Sequence, residues 1–183
     1  MLVFSIYLHE LGHAWGALIQ GIPVKRVKLY GGGGFCEAGR SVNRYEDELF
    51  TICGPLVNLA LWAISGILMY AIWAYTPETI AWNWLLGQLW YFGQINLILF
   101  ALNLFPVKPL DGGRLFHLLL CRLMPPRTAT HIAGGVGLVV AVLWIPAMIF
   151  LYLTFGWMLL FIPPIRPNFI MLRYGVTGGA RPV

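Results

Sequence analysis

His9-Glu10-Leu11-Gly12-His13 lies inside residues 1–20, MLVFSIYLHELGHAWGALIQ, a segment that is otherwise almost wholly apolar. Three ionisable side chains in such a segment need a reason. On a helix, residues four apart share a face, so His9 and His13 present two imidazoles one turn apart. That is the arrangement by which an H-E-x-x-H helix grips one zinc ion, with the glutamate placed to take a proton from bound water. The plainer reading is a buried polar cluster in an ordinary helix, because a pattern this short also arises by chance. The rest of the chain decides between them.

Of the 183 residues, 59% are hydrophobic and 10% are charged, against roughly 25% charged in soluble domains. With a mean hydropathy of +0.75, this composition and several long apolar runs place the chain among membrane proteins, with the lipid bilayer as its surroundings. The net charge of +5 does not indicate nucleic acid as a partner. The basic residues sit in short clusters between apolar runs, as in cytoplasmic loops. Cys36, Cys53 and Cys121 are few, odd in number and far apart, which reads as reduced and structural. Residues 1–20 lack the basic start of a signal peptide.

The chain is expected to be an all-α polytopic membrane protein with about five transmembrane helices and a small β-hairpin after the first. Segment A, residues 1–20, has about 30 Å of helical reach and ends at Gly21-Ile22-Pro23. Residues 24–37 are β-branched and basic around the run Gly31 to Gly34, which predicts a short hairpin at the membrane face. Glu46-Asp47-Glu48 starts the next helix, where negative charge suits the N-terminal dipole; a metal role for that trio is the lesser reading. Segment B covers 49–75 and carries Gly54-Pro55 and Asn58, tolerable against neighbouring helices, where Asn58 can hydrogen-bond across. A turn at 76–79 follows. Segment C covers 80–104, with Trp82, Trp84 and Trp90 reading as an interfacial belt, and Gln94, Asn96 and Asn103 further along. Pro106 and Pro109 break it, and a short interfacial helix spans 114–124. Segments D and E are expected over 131–153 and 157–170, split by a turn at Thr154-Phe155-Gly156; one kinked helix plus a surface segment is the alternative. The domain is read as a single unit, residues 1–173, followed by a flexible tail over 174–183.

Charge supports this threading. If A enters from outside, all 12 basic residues fall on the cytoplasmic side, as the positive-inside rule requires. The protein is then multi-pass, with its basic loops and C-terminus cytoplasmic. His13 lies about 10 Å below the cytoplasmic boundary at helical rise.

Two histidines leave a catalytic zinc one protein ligand short. Glu37 and the 46–48 trio lie in loops on the right side but far out. Cys53 and Cys121 are more simply small apolar residues, and His117 and His131 more simply solvated or hydrogen-bonded. Asp111 is the best placed, after a broken helix and between prolines and a glycine pair. Capping of the helix at Arg114 is an equal account of it.

Asn103-Leu104-Phe105-Pro106-Val107-Lys108-Pro109-Leu110-Asp111-Gly112 satisfies every fixed position of N-x-x-P-x-x-x-L-D-G. Together with the H-E-x-x-H helix, and with Gly54-Pro55-Leu56-Val57-Asn58 as a G-P-x-x-N signature, it resembles the site-2 protease family of intramembrane zinc metalloproteases over residues 1–124. The resemblance implies one zinc per chain held by His9, His13 and Asp111, Glu10 as general base, and Asn103 binding substrate or stabilising the oxyanion. It implies a transmembrane protein as substrate, cut near the cytoplasmic face. Only eight residues precede His9, so either the natural start lies upstream or this is a minimal member. No PDZ-like or CBS-like segment is present, which leaves regulation to a separate regulatory protein. The alternatives are a non-catalytic membrane scaffold, which has no need of Glu10, and a metal transporter using the same His/Asp site, which calls for more polar outer helix halves than B and C offer.

Overall fold

The structure is a computed structural model and describes residues 1–30, 33–75, 80–156 and 161–177. Its elements run in the order α1 (Leu2–Leu18), β1 (Val24–Tyr30), β2 (Gly33–Ala38), α2 (Arg44–Tyr75), α3 (Ile80–Asn103), α4 (Asp111–Leu123), α5 (Pro126–Phe155) and α6 (Ile165–Tyr174). They group into two units, Met1–Asn103 and Leu104–Val183.

In the first unit α1 is inverted relative to a soluble helix. Its buried stripe is small and polar: Ser5, His9, Glu10, Gly12, His13, Gly16 and Ala17. Its open face is apolar, with Leu2, Val3, Phe4, Tyr7, Leu11, Trp15 and Leu18 exposed. An amphipathic helix in water turns its apolar face inward; this one turns it outward, as contact with lipid allows. Small residues let α1 and α2 approach closely. A Cβ on Gly12 would stand 2.7 Å from the Cys53 carbonyl oxygen, and one on Gly16 would stand 2.8 Å from the Cys53 Sγ.

β1 and β2 pair antiparallel, with Val27 opposite Cys36, Leu29 opposite Gly34 and an irregularity between Val24 and Arg26. The expected hairpin is therefore present; of its glycine run, residues 31 and 32 lie outside the described residues. Ala14, Ala17, Ile22, Cys36 and Phe50 form a buried cluster, with Val24, Val27, Ala38 and Val42 packed against it. This cluster seats the hairpin on the end of α1 and the start of α2. Arg26 and Lys25 both pair with Glu37.

α2 begins at Arg44, five residues ahead of the expected apolar start. A reciprocal cap explains it: the Glu46 N–H donates to Asn43 Oδ1 at 3.0 Å, and the Asn43 N–H donates to Glu46 Oε2 at 2.9 Å. Arg40 also donates both guanidinium Nη groups to the Glu46 carboxylate. Glu46 and Asp47 thus open a helix, as the charge pattern predicts.

In the second unit α4 starts at Asp111, three residues earlier than expected. α5 is continuous through Pro146 and ends on Gly156 in the left-handed region (φ 69°), which matches the predicted turn there. α6 lies on α5 through Gly134, where a Cβ would stand 2.3 Å from the Leu172 nitrogen. The Trp144 indole donates to the Phe161 carbonyl at 2.7 Å, and His131 Nδ1 donates to the Leu172 carbonyl at 2.6 Å. His131 is therefore a structural donor.

Among the described residues, three helices are long and apolar enough to cross a membrane: Arg44–Tyr75, Asn83–Asn103 and Pro126–Thr154. α1, at 17 residues, is shorter than these. The fifth span expected over 157–170 is not formed as drawn. Residues 161–164 are non-helical, and α6 holds 10 residues, about 15 Å of rise. Pro163 and Pro164 lie in that non-helical stretch and cannot donate a backbone hydrogen bond, whereas Pro167 sits in the first turn of α6, where the missing N–H has no intrahelical partner to lose. The 76–79 turn, residues 157–160 and the tail over 178–183 lie outside the described residues.

The close approach of α1 and α2 gives an expected outcome. Gly16→Ala should destabilise the chain by about 1–3 kcal/mol, the usual cost of overpacking. Cys53→Ala should recover much of that loss in the double variant, because the obstructing atom at Gly16 is a side-chain sulfur. Gly12→Ala, which meets backbone, should not be recovered. Thermal melts of the four variants in detergent check this; equal recovery at both glycines would contradict it.

Candidate metal centre

The two imidazoles of α1 meet edge to face, with ring centroids 4.7 Å apart. His9, Glu10 and His13 are all buried, and their ligand atoms lie within 4.8 Å of one another. Glu10 and His13 are adjacent to different neighbours. Glu10 runs beside β2, where a Cβ on Gly34 would fall 2.2 Å from the Glu10 Cγ. His13 stacks on Phe50, centroids 5.4 Å apart.

Hydrogen bonding decides what the imidazole nitrogens can do. His13 Nδ1 lies 2.9 Å from the Phe50 carbonyl oxygen. A carbonyl only accepts, so the proton is on His13 Nδ1 and Nε2 carries a lone pair. His9 Nδ1 lies 2.6 Å from Asn58 Oδ1. The direction of that bond follows from a chain that ends at another carbonyl. Asn96 Nδ2 donates to the Phe92 carbonyl at 2.8 Å and to Ser5 Oγ at 3.0 Å. Asn96 Oδ1 therefore faces Asn58 Nδ2 and accepts from it at 2.9 Å. Asn58 Oδ1 is then left to accept from His9, whose Nε2 also keeps a lone pair. Ser5, Asn58 and Asn96 are fully buried, so this chain is shielded from competing water.

The result is two lone-pair nitrogens, His9 Nε2 and His13 Nε2, 3.1 Å apart. Two imidazole ligands on one tetrahedral zinc, each about 2.0–2.1 Å from it, stand about 3.3 Å from each other. The donor set and its spacing fit that ion. So does the space beside it: a Cβ on Gly54 would lie 2.4 Å from His13 Nε2 and 2.8 Å from His9 Nε2. Glycine at position 54 keeps that space open. A carbonyl or amide on the far nitrogen is also the usual support for a metal-binding histidine, because it fixes ring and tautomer together.

Other expected residues fall elsewhere. Cys53 is buried with its sulfur against Gly16, a packing role. Glu37 is engaged by Arg26 and Lys25, and Arg26 beside it holds its carboxyl below the usual carboxylate range. His117 contacts Thr130 Oγ1 at 2.9 Å and Cys121 Sγ at 3.5 Å. Thr130 Oγ1 in turn donates to the Pro126 carbonyl, so this group ties α4 to α5. Burial pushes the Cys36 thiol up to about 11, with the Glu10 carboxylate adding to it; Cys36 is a packed thiol rather than a reactive one.

Asp111 belongs to the second unit and is the first residue of α4. Leu110 holds the capping position, and Asp111 stands in the first turn, where its negative charge suits the helix N-terminus. The L-D-G glycine has a steric origin. A Cβ on Gly112 would lie 2.2 Å from the Leu104 carbonyl carbon, and one on Gly113 would lie 2.6 Å from that of Val107. α4 therefore starts flush against the turn before it. Asn103 ends α3 and donates from Nδ2 to the Leu99 carbonyl at 3.0 Å.

Comparison with known proteins gives the family and the fold. The model of peptidase family M50 matches residues 60–144. YwhC of Bacillus subtilis is 32% identical over 153 residues, which cover 68% of this chain and 68% of YwhC. The chain belongs to peptidase family M50. Zinc metalloprotease MJ0392 of Methanocaldococcus jannaschii is 31% identical over 137 residues, covering 75% of this chain and 38% of MJ0392. The solved structure of a site-2 protease from Methanocaldococcus jannaschii superposes with a TM-score of 0.58 at 24% identity, covering 93% of this chain and 68% of that one; the fold is the one that protein has. The chain spans about a third of the length of most of the curated relatives it matches. As an M50 member with three long apolar helices, it is an integral membrane protein.

Several contributors were not foreseen. Asn96 and Ser5 could have been suspected as polar residues in apolar helices. The Phe50 and Phe92 carbonyls carry no mark in sequence. Two substitutions test the centre. Gly54→Ala should abolish tight zinc binding, read as zinc per chain after gel filtration, while the far-UV spectrum stays helical. Asn58→Leu should weaken zinc about ten- to hundredfold against a competing chelator. Zinc retained at full affinity in both would contradict the assignment of the Nε2 pair.

Proposed function

We propose that this M50 chain is an intramembrane zinc endopeptidase that cleaves transmembrane segments of membrane proteins near the cytoplasmic face. The observation that carries the reading is the pair of lone-pair imidazole nitrogens 3.1 Å apart with a buried glutamate beside them. His9 and His13 would hold a single zinc, with Asp111 as the third ligand that the L-D-G motif implies. Bound there, zinc supplies Lewis acidity: it lowers the pKa of coordinated water to about 7 and polarises the scissile carbonyl. Glu10 accepts the proton as water adds to the peptide carbon, then passes it to the leaving amine. Asn103 donates a hydrogen bond to the oxygen on which negative charge develops.

A transmembrane helix hides its peptide bonds in its own hydrogen bonds, so the substrate unwinds locally before cleavage. The hairpin holds the unwound stretch extended by strand addition. The run of β2 past Glu10 at Gly34 supports this, since a strand added there lies near the base. The basic loops and the C-terminus face the cytoplasm.

Reconstitution with a transmembrane substrate tests the reading. Wild type should cleave, 1,10-phenanthroline should stop it, and zinc should restore it. Glu10→Gln should keep zinc yet lose at least a thousandfold in rate, within the range attributed to proton transfer plus water activation. Equal cleavage by wild type and Glu10→Gln would overturn the proposal. Val27→Pro, which breaks β1, should reduce cleavage with zinc content unchanged; unaltered cleavage by a folded Val27→Pro protein would remove the strand-addition step alone.

A further inference from the structure

The turn that leads into Asp111 is held from the last helix. Asn168 of α6 is buried, with 1% of its surface exposed. Its amide meets the backbone of Lys108 twice: Oδ1 accepts the Lys108 N–H at 3.1 Å, and Nδ2 donates to the Lys108 carbonyl at 3.1 Å. Nδ2 also donates to the Pro164 carbonyl at 3.1 Å, which fixes the amide to its own helix. α5 makes room for this group at Gly137, where a Cβ would fall 2.2 Å from Asn168 Oδ1. Only a carboxamide satisfies both sides of Lys108. A carboxylate would set an oxygen against the Lys108 carbonyl, and an aliphatic side chain would leave buried donor and acceptor unmet.

Lys108 is three residues before Asp111, and little slack separates them. The Leu110 N–H donates to the Val107 carbonyl at 3.0 Å, and the Gly113 N–H donates to the Leu110 carbonyl at 3.1 Å. Val107 is fully buried, and Gly112 and Gly113 seat α4 on the backbone of 104–108. α6 is tied to α5 by His131 to Leu172 near its end, and the stretch that leads into it is tied by Trp144 to Phe161. A displacement of Lys108 therefore passes to the first residue of α4.

We propose that Asn168 is a positioning residue for the metal site: by clamping the Lys108 backbone it sets the direction in which the Asp111 carboxylate is presented. This rests on Asp111 being the third zinc ligand. Asn168 lies 57 residues beyond Asp111 in sequence and well past residues 1–124, over which the family motifs occur. Its role comes from the two-point amide contact alone.

Cobalt substitution of the full chain in detergent separates the possibilities, because the d–d spectrum reports the ligand set. Asp111→Asn should change that spectrum and weaken zinc. Asn168→Ala and Asn168→Asp should shift the spectrum in the same direction and weaken zinc about ten- to hundredfold. Met171→Ala, which removes a fully buried side chain from the same helix, should lower the melting temperature and leave the spectrum alone. If Asp111→Asn matches wild type, the third-ligand reading fails and takes this proposal with it. If Asp111→Asn differs while both Asn168 variants match wild type, or if Met171→Ala shifts the spectrum as they do, the positioning role alone is overturned. Hydrogen exchange on the wild type covers the case in which the Asn168 variants do not fold. The Lys108 amide should exchange at least tenfold more slowly than an unprotected peptide amide; free exchange would overturn the clamp.

Discussion

Two imidazole lone pairs 3.1 Å apart in a buried, low-dielectric setting repel one another unless a cation lies between them. Much of the first unit serves to hold them there. The Phe50 carbonyl and the Asn58 amide claim the outer nitrogens, which forces the inner ones to be acceptors. Neither histidine can escape by swapping its proton, because each outer partner is committed. Two buried acceptors that face each other are unfavourable without compensation, and a divalent metal is the compensation that this donor set and spacing suit.

That constraint dictates how α1 and α2 pack. Carbonyl and amide can reach the rings only if the helices nearly touch, and Gly12, Gly16 and Gly54 remove the side chains that would hold them apart. Pro55 interrupts the α2 ladder one turn beyond Phe50, and Asn58 follows a turn later. A single stretch of α2 thus supplies a carbonyl, a void and an amide to one face of α1. The cost is an α1 whose interior stripe is polar and small while its large apolar residues point outward. In lipid that inversion carries little penalty, because the outer face needs no water-compatible groups.

What could be read without coordinates was local. His9, Glu10 and His13 are one helical turn, and helix geometry is enough to bring them together. The hairpin and the acidic start of α2 likewise depend on near neighbours: β-branched residues around glycines, and Asn43 three places before Glu46. Asn58 stood out as an amide in an apolar segment, although its partners did not. The rest was out of reach because its chemistry is anonymous. A backbone carbonyl such as that of Phe50 or Phe92 is the same in every residue. Asn168 is one asparagine among prolines, and only the folding of α6 onto α5 brings it to Lys108. The helix expected over 157–170 is not continuous for the opposite reason: average apolarity outweighed Pro163 and Pro164, which lie in the non-helical stretch 161–164.

The two glycines nearest the reactive groups have a further consequence. Gly54 borders the imidazole nitrogens and Gly34 borders the Glu10 side chain, so on both sides the wall is bare peptide. At those two points a neighbouring chain would meet peptide groups, which offer hydrogen bonds and shape rather than a side chain.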